Sequence, residues 1–313
     1  MGATAMLDVP EQQPLTFLRP TRQPQPPDDY TRVDGCSGAA FETISRSLLV
    51  CGDASRALEL LPDASVQTVL TSPPYWSLRD YDVEDQIGRD DSLADYMASI
   101  VGTFEKLKHV LREDGTVWLN VGDAFTSGNR RYRAPDRKNR ARAMGVRPPT
   151  PNGLKPKDLI GLPWRIAFML QNAGWWIRSE VIWHKPNAHP ESVRDRPTKA
   201  HETVFLLSRS QNYYYDVEAV CSPNGRRLRT VWDIPTEPRR RLDDHADDHP
   251  APMPMTLARR CVAITSREGS VVLDPYAGSG TTLLAARELG RKWIGIELKP
   301  SFVDLIERRM QHE

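Results

Sequence analysis

The sequence lacks several features that define common classes of protein. Its 313 residues include only four cysteines, Cys36, Cys51, Cys221 and Cys261, and no two of them form a Cys-x-x-Cys pair. We therefore expect no metal site and no disulfide framework, and a reducing compartment. No apolar run approaches the roughly 18 residues that span a bilayer, and the N-terminus has no signal-peptide pattern. These absences predict a cytoplasmic protein with no membrane partner.

Two further absences limit the ligands. The formal net charge is only +1, so any surface that binds a polyanion has to be local. The chain also contains no Gly-x-x-x-x-Gly-Lys-Ser/Thr motif, which excludes the common phosphate-cradling loop.

The distribution of proline divides the chain in two. Residues 1–45 are rich in proline and poor in large apolar residues. Such a composition buries too little apolar surface to offset the conformational entropy that is lost on folding. We predict a flexible N-terminal arm over residues 1–45. The remaining residues, 46–313, are numerous enough for one large α/β domain with insertions.

Apolar runs and amphipathic runs alternate along the second part of the chain. They predict strands over 47–53, 66–70, 116–123, 175–183, 203–208, 271–274 and 292–297, and helices over 54–61, 93–111, 159–171 and 283–289. Ser92 is placed to cap the second helix and Gly115 to end it. The alternation implies a doubly wound, mostly parallel sheet.

The stretch Thr71-Ser72-Pro73-Pro74-Tyr75-Trp76 follows one of these apolar runs. Two consecutive prolines fix two φ angles and remove two backbone donors. The carbonyls of Ser72 and Pro73 are then left without strand partners in a stiff loop. Such a loop can accept hydrogen bonds from an amino group while an aromatic ring stacks on a base. Taken alone, Pro-Pro-Tyr after a strand is more often a turn or a proline-rich docking site.

A second motif joins a predicted strand to a predicted helix through a turn that contains two glycines. It reads Asp274-Pro275-Tyr276-Ala277-Gly278-Ser279-Gly280-Thr281-Thr282. Glycines let the backbone approach a ligand at the N-terminus of the helix. Glu297 ends the next strand, where an acid can accept from both hydroxyls of a ribose. Asp53 ends an earlier strand, where it either faces the same crevice or only caps the following helix. A strand-turn-helix unit without a ligand is the alternative for this second motif.

Together, the two motifs resemble those of the amino-directed DNA methyltransferases. In that family Ser-Pro-Pro-Tyr is catalytic, and the pattern Asp-Pro-Phe/Tyr-x-Gly-x-Gly-Thr-Thr binds S-adenosyl-L-methionine. The catalytic motif comes first here, as in the circularly permuted β class. The resemblance implies an α/β fold with a doubly wound, mostly parallel seven-stranded sheet. It also implies S-adenosyl-L-methionine as the cofactor and double-stranded DNA as the substrate, with a cognate restriction endonuclease as a functional rather than physical partner.

The resemblance also assigns roles to individual residues. The catalytic residues would be Ser72, Pro73, Pro74 and Tyr75, with Ser72 and the Pro73 carbonyl accepting the amino protons and Tyr75 stacking on a flipped base. The cofactor-binding residues would be Asp53, Thr71, Asp274, Pro275, Tyr276, Ala277, Gly278, Ser279, Gly280, Thr281, Thr282 and Glu297. No covalent enzyme intermediate is needed, and the chain has no Pro-Cys dipeptide of the kind that a C5-cytosine enzyme requires.

Serine rather than aspartate at position 72 favours the N4 amino group of cytosine as the target. Two alternatives remain open at the level of sequence. One is an N6-adenine methyltransferase, and the other is a catalytically silent regulator that binds the cofactor and occupies DNA. The intact motifs argue against the second alternative.

A basic loop, residues 129–147, is the strongest candidate for contact with phosphates. Its cations include Arg130, Arg131, Arg133, Arg137, Lys138, Arg140 and Arg142, against the single acid Asp136. A local surplus of cations predicts binding to a nucleic-acid backbone, and a solvated loop without a role is the alternative. We predict DNA-contacting insertions at 125–153 and 217–250.

Overall fold

The computed structural model of the protein describes residues 16–17, 29–36, 41, 44–77, 83, 86–89, 92–127, 148–188, 190–221, 225–237 and 253–312. Within these residues the strands are β1 (Thr16–Phe17), β2 (Tyr30–Asp34), β3 (Ser47–Cys51), β4 (Val66–Thr71), β5 (Leu111–Val121), β6 (Trp176–His184), β7 (His201–Ser208), β8 (Val220–Cys221), β9 (Val231–Asp233), β10 (Val271–Asp274) and β11 (Lys292–Glu297). The helices are α1 (Ala54–Leu60), α2 (Leu93–Val110), α3 (Leu162–Asn172), α4 (Met255–Thr265), α5 (Thr281–Glu288) and α6 (Pro300–His312).

One large sheet organises the described residues. Its strand order is β2-β3-β11-β10-β4-β5-β7-β6-β9, and β1 pairs with β8 in a separate two-stranded sheet. Within the large sheet, β7 is antiparallel to β5 and β6, and the other pairings are parallel. The predicted doubly wound, mostly parallel sheet is therefore confirmed.

The sheet has nine strands rather than seven, because β2 and β9 extend it at its two edges. β2 lies inside the segment predicted to be a flexible arm, so that prediction is wrong for residues 30–34. This strand is held by side chains as well as by backbone pairing. The guanidinium of Arg32 pairs with Asp304 and Glu307 of α6, and the ring of Tyr30 packs on Trp293 of β11.

Helices cover both faces of the sheet. α1, α2 and α3 contribute buried residues to one core, including Leu58, Phe104 and Ile166. α4, α5 and α6 contribute to the other, including Leu257 and Leu284. Strands that are buried on both faces need side chains that are apolar at successive positions, which is why the central strands appear in the sequence as continuous apolar runs.

The boundaries of the predicted helices differ from the structure by one to three residues. α2 ends at Val110, and the chain passes directly into β5, so Gly115 lies within that strand and does not end the helix. α3 begins at Leu162 rather than at 159, because Gly161 adopts a positive φ of 70° immediately before it. Among the described residues, no helix has the length and apolar character that crossing a membrane requires.

The parallel strands bring the two sequence motifs to one edge of the sheet. β4 and β10 are neighbours, and their carboxyl ends lead into the Ser-Pro-Pro-Tyr loop and the glycine turn (residues 275–280), respectively. We call this side of the molecule the carboxyl edge. The chain reaches β4 long before β10, and this order is the basis for the circular permutation, which stays a prediction.

Candidate active site

A cavity at the carboxyl edge is lined by residues of both motifs. It encloses about 1080 Å³, including space open to solvent, which suits a small-molecule ligand. The predicted site residues that line it are Asp53, Ser72, Pro73, Pro74, Tyr75, Asp274, Pro275, Tyr276, Ala277, Gly278, Ser279, Thr281, Thr282 and Glu297. Two other predicted site residues, Thr71 and Gly280, lie behind the wall of the cavity.

The glycine turn has a backbone that favours glycine at two positions. Gly278 has a φ of 53° and Gly280 a φ of 78°, a region that L side chains rarely adopt. A Cβ added to Gly280 would also lie 3.0 Å from the side chain of Ile306 on α6. Gly280 therefore shapes the turn and its packing against α6, whereas Gly278 forms part of the cavity surface.

Glu297 is arranged to accept hydrogen bonds from a ligand with paired hydroxyls. Its Oε2 accepts from the backbone N–H of Gly278 at 2.8 Å, and its Oε1 accepts from that of Lys299 at 2.9 Å. Burial raises the pKa of Glu297 to about 7, although these N–H groups partly oppose the shift. Because a carboxylate oxygen can accept more than one hydrogen bond, each oxygen can receive one further donor. A ribose supplies two such donors.

Asp274 connects the two motifs instead of only facing the cavity. Its carboxylate accepts from the hydroxyls of Thr71 and Thr282, each at 2.8 Å, and from the backbone N–H of Tyr276 at 3.1 Å. Burial raises the pKa of Asp274 to about 6, against the effect of these hydrogen bonds. The buried Thr71 thus acts by tying the end of β4 to the glycine turn.

Asp53 combines the two roles that the sequence left open. Its Oδ1 accepts from the backbone N–H of Arg56 at 2.9 Å, which caps α1. The residue also lines the cavity. Capping therefore leaves Asp53 in a position to face a ligand.

One carbonyl of the Ser-Pro-Pro-Tyr loop is hydrogen-bonded within the fold, and two other hydrogen-bond acceptors of the loop remain available to a ligand in the cavity. The Pro74 carbonyl accepts from the hydroxyl of Tyr96 at 2.8 Å. Within the part of the chain that the structure describes, no hydrogen bond to the Pro73 carbonyl is formed. The Ser72 hydroxyl donates to the Asn120 carbonyl over a long 3.4 Å. Ser72 and Pro73 can therefore both accept protons from an incoming amino group.

Three residues that the sequence analysis did not assign lie directly behind Tyr75. Glu202 Oε2 accepts from the Tyr75 hydroxyl at 2.7 Å and from Asn120 Nδ2 at 2.9 Å. Glu202 Oε1 accepts from Lys185 Nζ at 2.5 Å. Burial would raise the pKa of Glu202, but the charge of Lys185 and the hydrogen bonds from all three partners hold the pKa below its usual value. We call Glu202, Tyr75, Asn120 and Lys185 the Glu202 cluster.

The predicted DNA-binding residues Arg130, Arg131, Arg133, Arg137, Lys138, Arg140 and Arg142 lie outside the described residues. The two ends of their segment are described and lie together. The Ser127 hydroxyl donates to the Pro148 carbonyl at 3.3 Å, and the Thr126 N–H donates to the Asp158 carbonyl at 2.9 Å. The segment thus leaves and rejoins the fold just after the carboxyl end of β5, on the same edge as the cavity.

The chain is similar to known DNA methylases over most of its length. The sequence profile of the DNA methylase family, which covers N6- and N4-directed enzymes, matches residues 66–308. Type II methyltransferase M.Cfr9I of Citrobacter freundii is 51% identical over 266 residues, or 84% of this chain and 87% of the relative. Type II methyltransferase M.SmaI of Serratia marcescens is 49% identical over 268 residues, or 84% of this chain and 90% of the relative.

Solved structures show the same fold. A putative DNA modification methylase from Thermus thermophilus, in complex with S-adenosyl-L-methionine, has a TM-score of 0.59 and 26% identity, covering 84% of this chain and 92% of that one. The PvuII cytosine-N4-specific DNA methyltransferase has a TM-score of 0.62 and 18% identity, covering 93% and 94%. The cavity, the glycine turn and the spare acceptors of Glu297 fit S-adenosyl-L-methionine, which is the cofactor. The chain belongs to the DNA methylase family of N6- and N4-directed amino methyltransferases.

Proposed function

We propose that this DNA methyltransferase methylates the exocyclic N4 amino group of cytosine at specific sites in duplex DNA. The observation that carries the proposal is the pair of acceptors formed by the Ser72 hydroxyl and the Pro73 carbonyl at the cavity wall. Members of the family have serine, aspartate or asparagine at this first position, and serine favours cytosine. The family itself includes enzymes for either amino group.

The chemistry requires little more than correct placement of the amino group. The lone pair of the amino nitrogen is conjugated with the ring of the base. Hydrogen bonds from the amino N–H groups to Ser72 and Pro73 make that lone pair available for attack. Bound S-adenosyl-L-methionine supplies an electrophilic methyl group. The nitrogen would bond to the methyl carbon as the sulfonium–methyl bond breaks, S-adenosyl-L-homocysteine would be the leaving group, and the amine would lose one proton to solvent. Alignment of the two reactants provides most of the rate enhancement.

The target base has to leave the duplex to reach this cavity, because its amino group is otherwise engaged in a base pair. We assign the ring of Tyr75 to stack on the flipped base, next to the two acceptors. The ring already lies against the backbone, since a Cβ added to Gly122 would be 3.3 Å from it. Tyr75 also lines the cavity, so its ring borders the space that the base would enter.

We assign the cofactor to the other part of the cavity. Glu297 would accept from the ribose hydroxyls, the glycine turn would lie against the ligand, and Asp53 would face its adenine side. These residues approach the cavity from β11, from the turn before α5 and from the end of β3.

We expect the affinity for S-adenosyl-L-methionine to fall as the pH decreases through 7. Only the ionised form of Glu297 can accept from two hydroxyls, and burial places the pKa of this carboxyl at about 7 in the free protein. Below that pKa, binding has to expel a proton, so affinity should decrease by up to about tenfold per pH unit. Calorimetric titration between about pH 8.5 and pH 6.5 should therefore show a loss of affinity of roughly fourfold, and Asp274, with a pKa of about 6, stays mostly ionised over this range.

Glu297→Gln is the control for this dependence. The amide removes the titrating group, so the variant should bind weakly and with a flat pH profile. An unchanged slope in Glu297→Gln would show that a different group controls cofactor binding.

We propose that the basic loop and the segment 217–250 contact the DNA backbone. The described residues that flank the basic loop, Ser127 and Pro148, lie at the carboxyl edge, so the loop begins and ends on the side of the sheet that holds the cavity. β9, inside the second segment, extends the sheet next to β6, and the described residue Asp233 bonds to His184 at the end of β6.

Replacing Arg130, Arg133 and Arg137 by alanine is expected to weaken binding to cognate and unrelated duplexes alike. Each phosphate contact contributes about 0.9 to the slope of log affinity against log salt concentration, so the slope should become shallower by roughly two to three units. Titration of labelled duplexes at several salt concentrations measures both quantities.

A charge-matched control uses Arg46, Arg112 and Arg267, which are 66%, 52% and 53% exposed. They precede or begin β3, β5 and β10 and so lie at the edge of the sheet opposite the cavity. Their replacement removes the same charge and should leave the slope unchanged. Equal slopes for the two triple variants would exclude the basic loop from the interface.

Mass spectrometry of nucleosides tests the proposed function directly. DNA incubated with the protein and S-adenosyl-L-methionine should contain N4-methylcytosine. N6-methyladenine would assign the enzyme to the other branch of the family, and no modification would favour a silent DNA-binding protein. Mapping the modified positions in a host then identifies the recognition sequence. The Type II names of the relatives support a cognate restriction endonuclease as the functional partner.

A further inference from the structure

The partly buried carboxylate of Glu202 has no role in the mechanism proposed for the base and the cofactor. Glu202 lies at the start of β7, yet its partners come from three other segments. They are the hydroxyl of Tyr75 after β4, the amide of Asn120 in β5 and the ammonium of Lys185 after β6. One carboxylate therefore joins four segments of the carboxyl edge immediately behind the Ser-Pro-Pro-Tyr loop.

We propose that Glu202 is a positioning residue for methyl transfer. It holds the ring of Tyr75 and, through Asn120, the hydroxyl of Ser72 in the arrangement that receives the flipped base. This inference rests on the proposed roles of Ser72 and Tyr75.

The ring of Tyr75 is constrained at two points. Its hydroxyl donates to Glu202 at 2.7 Å, and its outer edge lies against Gly122, where an added Cβ would be 3.3 Å from the ring carbon. A ring whose hydroxyl end is hydrogen-bonded and packed against the backbone has little freedom to swing about the Cα–Cβ bond. Its position for stacking is thus set before the base arrives.

Glu202 also determines the orientation of the Asn120 amide. Asn120 is only 2% exposed, and its Nδ2 donates both to Glu202 at 2.9 Å and to Ser72 Oγ at 3.3 Å. Its Oδ1 is buried and has no partner among the residues that the structure describes. Because a carboxylate only accepts hydrogen bonds, Asn120 has to present its NH₂ group. That group then occupies one acceptor site of the Ser72 hydroxyl and orients it.

The cluster requires an ionised side chain at position 202. Glu202 accepts from three donors, whereas a glutamine has one acceptor oxygen and would turn its NH₂ group towards a neighbouring donor. The ammonium of Lys185 compensates the buried charge at 2.5 Å from Oε1, so the carboxylate stays ionised at this depth. Burial of a carboxylate without such a partner would be strongly unfavourable.

A double-mutant cycle tests the proposal. Tyr75→Phe, Glu202→Gln and the double variant are compared for single-turnover transfer of a labelled methyl group to plasmid DNA. Each single variant should be slower by about 10- to 100-fold, since small displacements of reacting groups have effects of this size. The double variant should be no slower than the slower single variant, because both changes remove the same hydrogen bond. Cofactor affinity, measured by calorimetry, should change by less than about twofold, because Glu202 does not line the cofactor side of the cavity.

The control variant is Glu105→Gln, which removes a carboxylate that is 47% exposed and paired with Lys108 on the surface of α2. It should retain the wild-type rate. If Glu202→Gln does not fold, Tyr75→Phe still tests the proposal. A Tyr75→Phe variant that transfers the methyl group at the wild-type rate would overturn it. Losses that multiply in the double variant, or cofactor affinity that falls together with the rate, also overturn it.

The outcomes separate this proposal from the proposed function. Absence of N4-methylcytosine in DNA treated with the wild-type protein contradicts the proposed function. Formation of N4-methylcytosine at unchanged rates by Tyr75→Phe and Glu202→Gln contradicts only the positioning role of Glu202.

Discussion

Replacing Ser72 with alanine is expected to slow methyl transfer about 10- to 100-fold while cofactor affinity stays within about twofold. The estimate corresponds to the loss of one hydrogen bond to a strongly polarised amino group in the transition state, roughly 1.5–3 kcal/mol. The contacts of the hydroxyl are to Asn120, on the side of the Glu202 cluster. The glycine turn is instead tied to β4 through Thr71 and Asp274. Single-turnover rates and calorimetric cofactor affinities, measured on the same preparations, separate the two effects.

Ser65→Ala is a matched control at the other end of the same strand. Ser65 immediately precedes β4, and its hydroxyl donates to the Pro62 carbonyl at 2.7 Å. This variant loses a serine hydroxyl without a change at the carboxyl edge, so its rate should equal that of the wild type. Equal losses of rate and cofactor affinity in Ser72→Ala would remove Ser72 from the base side of the cavity.

The central sheet could be predicted from the sequence because of where its strands lie. Strands such as β7 are buried along most of their length, and residues 204–207 of β7 form an apolar run that is visible without a structure. The edge strands β2 and β9 are mostly exposed and leave no such run. β2 is held in place by ion pairs between Arg32 and two acids of α6, Asp304 and Glu307. These partners are remote in sequence.

The candidate site was only partly predictable for a related reason. Motif residues that follow one another in the chain reveal a loop, but they do not reveal which side chains face a cavity. Thr71 and Gly280 belong to the motifs and support the cavity from behind. The members of the Glu202 cluster come from separate strands and meet only in the fold. One local signal existed, since Asn120 interrupts the apolar run of β5 while remaining buried.

Gly278→Val is expected to reduce the affinity for S-adenosyl-L-methionine about 100-fold or more, while the protein still folds. Gly278 lines the cavity, so a branched side chain would occupy space that the ligand needs. Its N–H also donates to Glu297 at 2.8 Å, and a shift of the turn would displace that acceptor. Steric exclusion and a lost ribose contact act together, each costing on the order of 1–3 kcal/mol.

Backbone strain alone would reduce cofactor affinity less than Gly278→Val is expected to. The variant Gly269→Val measures the effect of backbone strain by itself. Gly269 has a φ of 76°, and a Cβ added there would meet no atom within 4 Å. It lies before β10, at the edge of the sheet opposite the cavity. Valine at a positive φ costs roughly 1–2 kcal/mol, so Gly269→Val should lower the melting temperature and leave cofactor affinity unchanged. Gly280→Val should lower both the melting temperature and the cofactor affinity, because the valine side chain would press on Ile306 and move the start of α5. If Gly278→Val and Gly269→Val bind the cofactor equally well, the glycine turn does not contact the ligand.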